Sequence, residues 1–335
     1  MFNKKSLSLF LVALCGFASI HSSDTTNQNL EQASGPKRKI ALTLMTLNVL
    51  NEGAYVKTCP YERLNYETRL SNFKAFLQRH HIFSGTTSNA TAANVRPDIC
   101  CFQEMGKDFF DAIKGLSYDS STNSTRTQNV ATIVAPYIAM KYRKTVKPEV
   151  CNYSRIERGG NMVHIFNLHS KGTSDSFDHT KEDINNILNF ASQNAIPEND
   201  PTVICGDFNY RDINQCSSFM KGHGFDYAPN NNFTSATATG CEQTLDYIFF
   251  KNMKHDNTFV EKIPAKDLLY HDKAKDHCKS KYFSEHLPLV TTLLLEDKRP
   301  TLETKKVVKD YNVPYDWKTR PKLPAGIKNI GQSNS

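Results

Sequence analysis

Near the middle of the chain stands Val203-Ile204-Cys205-Gly206-Asp207-Phe208-Asn209. Three apolar residues form a short buried strand, and a glycine, an acid and an amide follow where it ends. Working outward, β-type runs alternate with helical patterns on both sides. The spacing predicts strands over Met162–Leu168, Val130–Ala135, Ile99–Gln103 and Ile40–Val49 on the N-terminal side, and over Leu245–Phe250 and Leu287–Leu295 on the other. Helices are predicted over Glu62–His80, around Asp108–Ile113 and over Lys181–Ala191. In the first, Leu70, Phe73, Phe76 and Leu77 share one face; in the third, Ile184, Ile187, Leu188 and Ala191 do. Such alternation points to an α/β domain rather than an all-α or all-β one.

Most of these strands end on residues able to do chemistry. In chain order the ends carry Asn48, Gln103-Glu104, Asn167 with His169, Asp207 with Asn209, Asp246, and Ser284-Glu285-His286. A lone acid or amide at a strand end is ordinarily a turn or cap residue, but six such sites in step with six strands form a set. α/β proteins place chemistry there because strand ends hold side chains while loops leave room for a ligand. The set suits hydrolysis of a phosphate ester. Carboxylate and amide oxygens are hard donors that favour Mg²⁺ or Ca²⁺ over zinc, and no paired C-x-x-C supports a zinc site. Phosphoryl transfer needs neutralised charge on the non-bridging oxygens, a water aimed in line and a stabilised leaving oxygen. The sequence has no Walker-type glycine loop and no G-x-S-x-G elbow, so nucleoside triphosphate hydrolysis and serine-hydrolase chemistry have no support.

Composition bounds the rest. The 335 residues are 39% hydrophobic, 10% aromatic and 22% charged, enough for one large core and too apolar for a fibrous or wholly disordered chain. A formal charge of +7, from 41 basic and 34 acidic side chains, favours polyanionic partners or anionic surfaces. Residues 1–22 carry Lys4 and Lys5, an apolar run from Leu7 to Ile20 and then small polar residues, the layout of a secretory signal peptide. A membrane anchor needs ~20 apolar residues and this run is shorter, so export is expected, to the periplasm or outside the cell. Residues 23–37 read as a polar linker, 38–295 as the catalytic domain, and 296–335 as a tail with four prolines and nine Lys/Arg against five Asp/Glu. No later run is long and apolar enough to cross a membrane, and oligomeric state is not readable. Eight cysteines follow the signal, and their spacing fixes no connectivity. Cys100, Cys101 and Cys205 lie in apolar runs and read as small buried hydrophobes. Sequons at Asn89, Asn123, Asn152 and Asn232 are candidate glycosylation sites.

The strand-end motifs, with G-D-F-N the most specific, resemble those of the endonuclease/exonuclease/phosphatase superfamily. These metal-dependent phosphoesterases include DNase I, abasic-site endonucleases, neutral sphingomyelinases, inositol-polyphosphate 5-phosphatases and poly(A) deadenylases. The resemblance runs from about Lys39 to Leu295. It implies a four-layer α/β sandwich of the DNase I-like type, two mixed sheets face to face with helices outside, and a site at one rim. By the same resemblance Glu104 is the principal Mg²⁺ ligand, with Asn48 and Glu285 beside it; Ca²⁺ or Mn²⁺ would suit the same donors. Asp207 and Asn209 would orient the attacking water and contact the phosphate. His286 would act as general base or transition-state stabiliser, with Asp246 orienting its ring, and His169 would bind phosphate or serve the leaving group. Two positions depart from the pattern. Glu285 stands where the superfamily usually has Asp, one methylene longer. The carboxylate that partners His169 in DNase I-like members is replaced here by Gln128 or Asn129.

Two branches of the superfamily share the likeness. Asn167-Leu168-His169-Ser170, with Thr237-Ala238-Thr239-Gly240-Cys241 ahead of Leu245-Asp246, is similar to the secreted DNase I branch, which implies a Cys216–Cys241 disulfide. Asn48-Val49-Leu50, with Cys59-Pro60, Leu64-Asn65-Tyr66 and Arg69, is similar to the deadenylase branch. Arg155 and Arg158 are candidate substrate-phosphate contacts, since Lys and Arg supply most sequence-independent affinity for nucleic acid. The expected activity is a secreted, metal-dependent phosphodiesterase using in-line water attack on DNA or RNA with low sequence specificity. The alternatives are a sphingomyelinase-like phospholipid phosphodiesterase or phosphoinositide phosphatase, and a binding protein that keeps the fold without turnover.

Overall fold

The apolar pattern through Leu42, Leu44 and Leu47 becomes β1 (Lys39–Asn48). It pairs parallel with β2 (Ile99–Met105) and antiparallel with β13 (Leu289–Glu296). β3 (Asn129–Val134) and β12 (Lys254–Val260) extend the two sides, giving a five-stranded mixed sheet in the order β12-β13-β1-β2-β3. The computed structural model describes residues 38–50, 66–79, 97–114, 129–171, 175–230, 232–236, 242–261 and 284–299. The stretches expected to be a signal peptide and a linker, residues beyond 299, Cys59, Cys241, Cys278, Asn89, Asn123 and Gln128 lie outside the described residues.

A six-stranded sheet faces the first, in the order β4-β5-β6-β7-β11-β8. It is made of β4 (Ala139–Lys147), β5 (Cys151–Arg158), β6 (Asn161–His169), β7 (Thr202–Asp207), β11 (Asp246–Lys251) and β8 (Asp226–Tyr227). β6 and β7 run parallel and the other pairs antiparallel. β9 (Ser235–Ala236) and β10 (Glu242–Gln243) form a short separate ribbon.

Period-two alternation decides the layers. Val163, Ile165, Val203, Cys205, Ile248 and Phe250 join the residues of the first sheet in one core. Their strand neighbours Phe166, Leu168, Ile204, Tyr247 and Phe249 enter a second core beneath α3 (Phe177–Gln193) and α4 (Ile213–Gly222). On the far face of the first sheet lie α1 (Tyr66–Arg79) and α2 (Lys107–Lys114), where Phe73 meets Phe102 at 5.7 Å and Phe109 at 4.9 Å. Helices therefore lie outside two facing mixed sheets, the four-layer arrangement. Burying each such Leu or Phe stabilises the fold by about 1.5–3 kcal/mol.

The elements named in the sequence occur within a few residues of their expected bounds. β4, β5, β8, β9, β10, β12 and α4 were not among them. β4 is an edge strand bearing Lys141, Arg143 and Lys144, largely exposed, and so lacks the apolar alternation that betrays a strand. β12, Lys-His-Asp-Asn-Thr-Phe-Val, is a polar edge of the same kind.

Two further expectations are corrected. Cys216 is a free thiol, fully buried on α4 against the second core, where burial pushes its pKa up to about 12. Cys241, the partner that the resemblance implies, lies outside the described residues. Asn152 is buried and cannot receive a glycan: its side chain accepts from the Thr132 hydroxyl at 2.9 Å and donates to Val130 O at 3.0 Å, between the sheets. Cys100, Cys101 and Cys205 are buried thiols as expected. Among the described residues no helix is long and apolar enough to cross a membrane.

Candidate active site

Each residue of the Gly-Asp-Phe-Asn turn has its own physical reason. Gly206 has φ +139°, and a Cβ there would lie 1.8 Å from Leu168 O. Glycine therefore permits the close approach of β6 and β7. Asp207 follows, in register with His169 on one side and Asp246 on the other. Phe208 anchors the turn in the second core, 5.4 Å from both the Tyr247 and Phe249 rings. Asn209 takes the left-handed conformation (φ +49°) that asparagine tolerates. Its backbone N–H donates to Asp207 Oδ1 at 2.8 Å and its side chain to Ser170 O at 2.8 Å.

The facing sheet contributes Glu104 and Asn48. The β2–β3 register slips between Phe102 and Met105, a bulge in which Glu104 has φ +53°. A non-glycine residue held there is strained, and bulges of this kind re-aim a side chain. Asn48, at the end of β1, donates through Nδ2 to Glu104 Oε1 and to Asp207 Oδ2, both at 2.9 Å, and so spans the two sheets. Its Oδ1 accepts from Leu50 N at 2.8 Å. Behind it the fully buried Arg69 of α1 donates to Val49 O and Leu50 O, fixing the turn.

His169 Nε2 lies 3.5 Å from Glu104 Oε1 and 4.0 Å from Asp207 Oδ2. Among the described residues, Glu104, His169 and Asp207 form the group whose ligand atoms all lie within 4.8 Å of one another. Two carboxylates, Asp207 buried and Glu104 half-buried, converging on a single neutral amide leave negative charge to be compensated, and hard oxygens with one imidazole fit a divalent cation.

His286 completes the rim. Its Nδ1 contacts Asp246 Oδ2 at 2.8 Å and its Nε2 lies 3.8 Å from Asp207 Oδ2. Burial alone would lower the pKa of the ring; Asp246 and Asp207 outweigh it and raise the value to about 10. Burial pushes the Asp246 carboxyl up, while His286 pulls it down. Two hydroxyls hold this pair in place. Ser284 Oγ accepts from His286 N at 3.0 Å and donates to Asn48 O at 2.6 Å. Thr234 Oγ1 accepts from Leu245 N and Asp246 N, each at 3.0 Å. Glu285 is half-buried beside the cluster. Burial, then the Glu104 and Asp207 charges, keep its carboxyl above the usual range against the pull of His286.

The structure thus gathers Asn48, Glu104, His169, Asp207, Asn209, Asp246 and His286 at one rim, with three differences from expectation. Asn48 turns an N–H rather than its oxygen toward the carboxylates. His169 and Asp207 share the ligand group with Glu104, while Asn48 bridges Glu104 and Asp207 and Glu285 stands beside the cluster. Arg155 and Arg158 are elsewhere: β5 runs antiparallel to β6, so Arg155 stands opposite His164 and Arg158 opposite Asn161, away from the rim. Arg155 lies over the Tyr142 ring and Arg158 beside Asp98, so neither is a phosphate contact at this site. Thr234 positions the site without carrying a readable signal, since loop threonines are common, whereas Arg69, singled out by the likeness to the deadenylase branch, stands behind Asn48.

The profile of the Endonuclease/Exonuclease/phosphatase family matches residues 45–286. No curated protein matches the chain. Among solved structures, ANGEL2, a 2′,3′-cyclic phosphatase in complex with adenosine-2′,3′-vanadate, superposes with a TM-score of 0.58 at 14% identity, over 77% of this chain and 96% of that one. D. rerio TDP2 complexed with single strand DNA product gives 0.53 at 13% identity, over 76% and 98%. A Bacteroides thetaiotaomicron mannosyl-6-phosphatase gives 0.56 at 15% identity, over 75% and 99%. At these identities the likeness is one of fold.

Proposed function

Because the chain belongs to the endonuclease/exonuclease/phosphatase family, whose members are divalent-metal-dependent phosphoester hydrolases, we propose that it is an exported, Mg²⁺-dependent phosphodiesterase cleaving nucleic acid with low sequence specificity. One observation carries the hydrolytic reading: the Asn48 amide drawing Glu104 and Asp207 together from opposite sheets, with His169 against both. The nucleic-acid reading is supported by the net charge of +7, and by the likeness to a fold that in D. rerio TDP2 holds a single strand DNA product. The N-terminal layout supports export.

Glu104, Asp207 and His169 would hold the cation. When bound, it supplies positive charge to the non-bridging and leaving oxygens of the ester. The chain's own groups do the rest. Asp207, fixed by Asn48 on one oxygen and the Asn209 backbone on the other, orients the water for in-line attack. Asn209, with one side-chain N–H spent on Ser170 O, keeps the other for a phosphate oxygen. His286, steadied at Nδ1 by Asp246, presents Nε2 as a donor to the charge that grows on the phosphate. Between base and stabiliser, this geometry favours the stabiliser. Glu285 adds a further carboxylate beside the cluster.

The test is a panel of plasmid DNA, RNA and sphingomyelin vesicles, each incubated with Mg²⁺ and with chelator. Cleavage of nucleic acid with Mg²⁺, none with chelator, and none by the Asp207→Ala/His286→Ala variant is the expected result. Cleavage of the lipid alone would overturn the nuclease reading and leave the hydrolase. Absence of product from all three would favour a binding protein of the same fold.

A further inference from the structure

β4 is one edge of the six-stranded sheet among the described residues, and its nine residues Ala-Met-Lys-Tyr-Arg-Lys-Thr-Val-Lys carry four cations and no acid. Register with β5 sets Tyr142 opposite Arg155 and Lys144 opposite Tyr153, which puts all four side chains on one face. The Arg155 guanidinium lies over the Tyr142 ring at 5.6 Å, and Tyr142 stands 5.9 Å from Tyr153. Lys144 reaches over the Phe190 ring of α3 at 5.3 Å. Tyr142 is 43% exposed. Neighbouring cations are neutralised, Lys141 by Glu157 and Lys147 by Asp183, each at 2.8 Å. Arg155 and Lys144 have no carboxylate partner among the described residues, and Arg155 Nε has no acceptor there.

We propose that this outer face of the β4–β5 edge binds single-stranded nucleic acid, with a base on Tyr142 and backbone phosphates on Arg155 and Lys144. Two cations without counter-ions flanking an exposed ring match what a single strand offers, a charge per nucleotide and a flat base free to stack. An acidic peptide would answer the charges and leave the ring bare. A duplex keeps its bases stacked on one another. The surface is separate from the catalytic rim: Arg155 faces His164, five residues along β6 from His169, or roughly 17 Å at the strand rise. It goes beyond the proposed activity, since it holds whether the rim cleaves nucleic acid or another phosphoester.

The test measures binding of a fluorescent 20-residue oligothymidylate to the full chain by anisotropy, in chelator and over a salt series. Lys144→Gln/Arg155→Gln should weaken binding about tenfold and flatten the slope of log affinity against log salt by about 1.4, at 0.7 per lost phosphate contact. Tyr142→Ala should weaken it by a similar factor, with Tyr142→Phe restoring stacking and Arg155→Lys restoring the slope. Urea midpoints matching the native chain would show that the variants fold, and the rescue variants carry the test if they do not. Native affinity and slope in the double variant would overturn the proposal. So would competition by polyglutamate or duplex DNA as strong as that by unlabelled oligothymidylate.

Discussion

Gln103 Nε2 donates to Asn167 Oδ1 at 2.7 Å across the interior between the two sheets. Glu104 follows Gln103 directly, and His169 stands two residues after Asn167. The bond therefore locks together the strand ends that supply two members of the ligand group. Asn167 also donates to Phe102 O and Ala131 O, at 3.1 and 3.0 Å, so its amide ties β6 to β2 and β3 of the facing sheet.

Asn167→Ala should cost about 3 kcal/mol, because it removes the donor to two buried carbonyls and one of the acceptors of Gln103 Nε2, which keeps Thr46 Oγ1 and Cys101 O. Urea unfolding reads the loss. Combined with Gln103→Ala in a double-mutant cycle, the pair should couple by roughly 1 kcal/mol. Purely additive effects would mean that the contact does not join the sheets.

Gly206→Ala should destabilise the fold by about 3 kcal/mol or more, since the methyl would meet Leu168 O in a backbone conformation disfavoured for alanine. A native urea midpoint in this variant would contradict the close approach of β6 and β7.

Mg²⁺ added to chelator-treated protein should raise its thermal midpoint, as any ligand held only by the native state does, adding about 2.7 kcal/mol of stability at a hundredfold excess over Kd. Glu104→Gln and Asp207→Asn should each abolish that increment. Retention of the full shift in either variant would place the cation elsewhere.

The pH dependence of stability reports on His286. A folded-state pKa raised from 6.5 to about 10 means that its charge stabilises the fold fully below pH 6.5 and progressively less as pH rises through 10. In chelator, His286→Gln should therefore be most destabilising near pH 6 and approach the native stability above pH 10. A gap that widens with pH would show the ring to be neutral in the fold.

Much of the site was legible in the sequence because strand ends leave a local signature. Asp207, Asn209, Asp246 and His286 each follow or open an apolar run, and the rim gathers them. The roles within the rim were less legible. Which side of the Asn48 amide faces the carboxylates depends on Leu50 N–H claiming its oxygen, a contact made only once the turn after β1 has closed. The bulge that aims Glu104 depends on pairing with β3, 25 or more residues away in the chain.

Local composition and periodicity determined by themselves that this is an α/β chain with its polar chemistry at strand ends, because alternation and turn residues act over a few neighbours. Pairing decided the rest. Arg155 precedes the β6 strand in sequence and so looked adjacent to the site, yet an antiparallel partner carries residues away from a rim as fast as its neighbour approaches it. Cys216 had an apparent partner by resemblance, and packing of α4 on the second core turned its sulfur inward instead. Distances across a sheet are set by register and by which face is buried, and both are properties of the assembled layers rather than of any one segment.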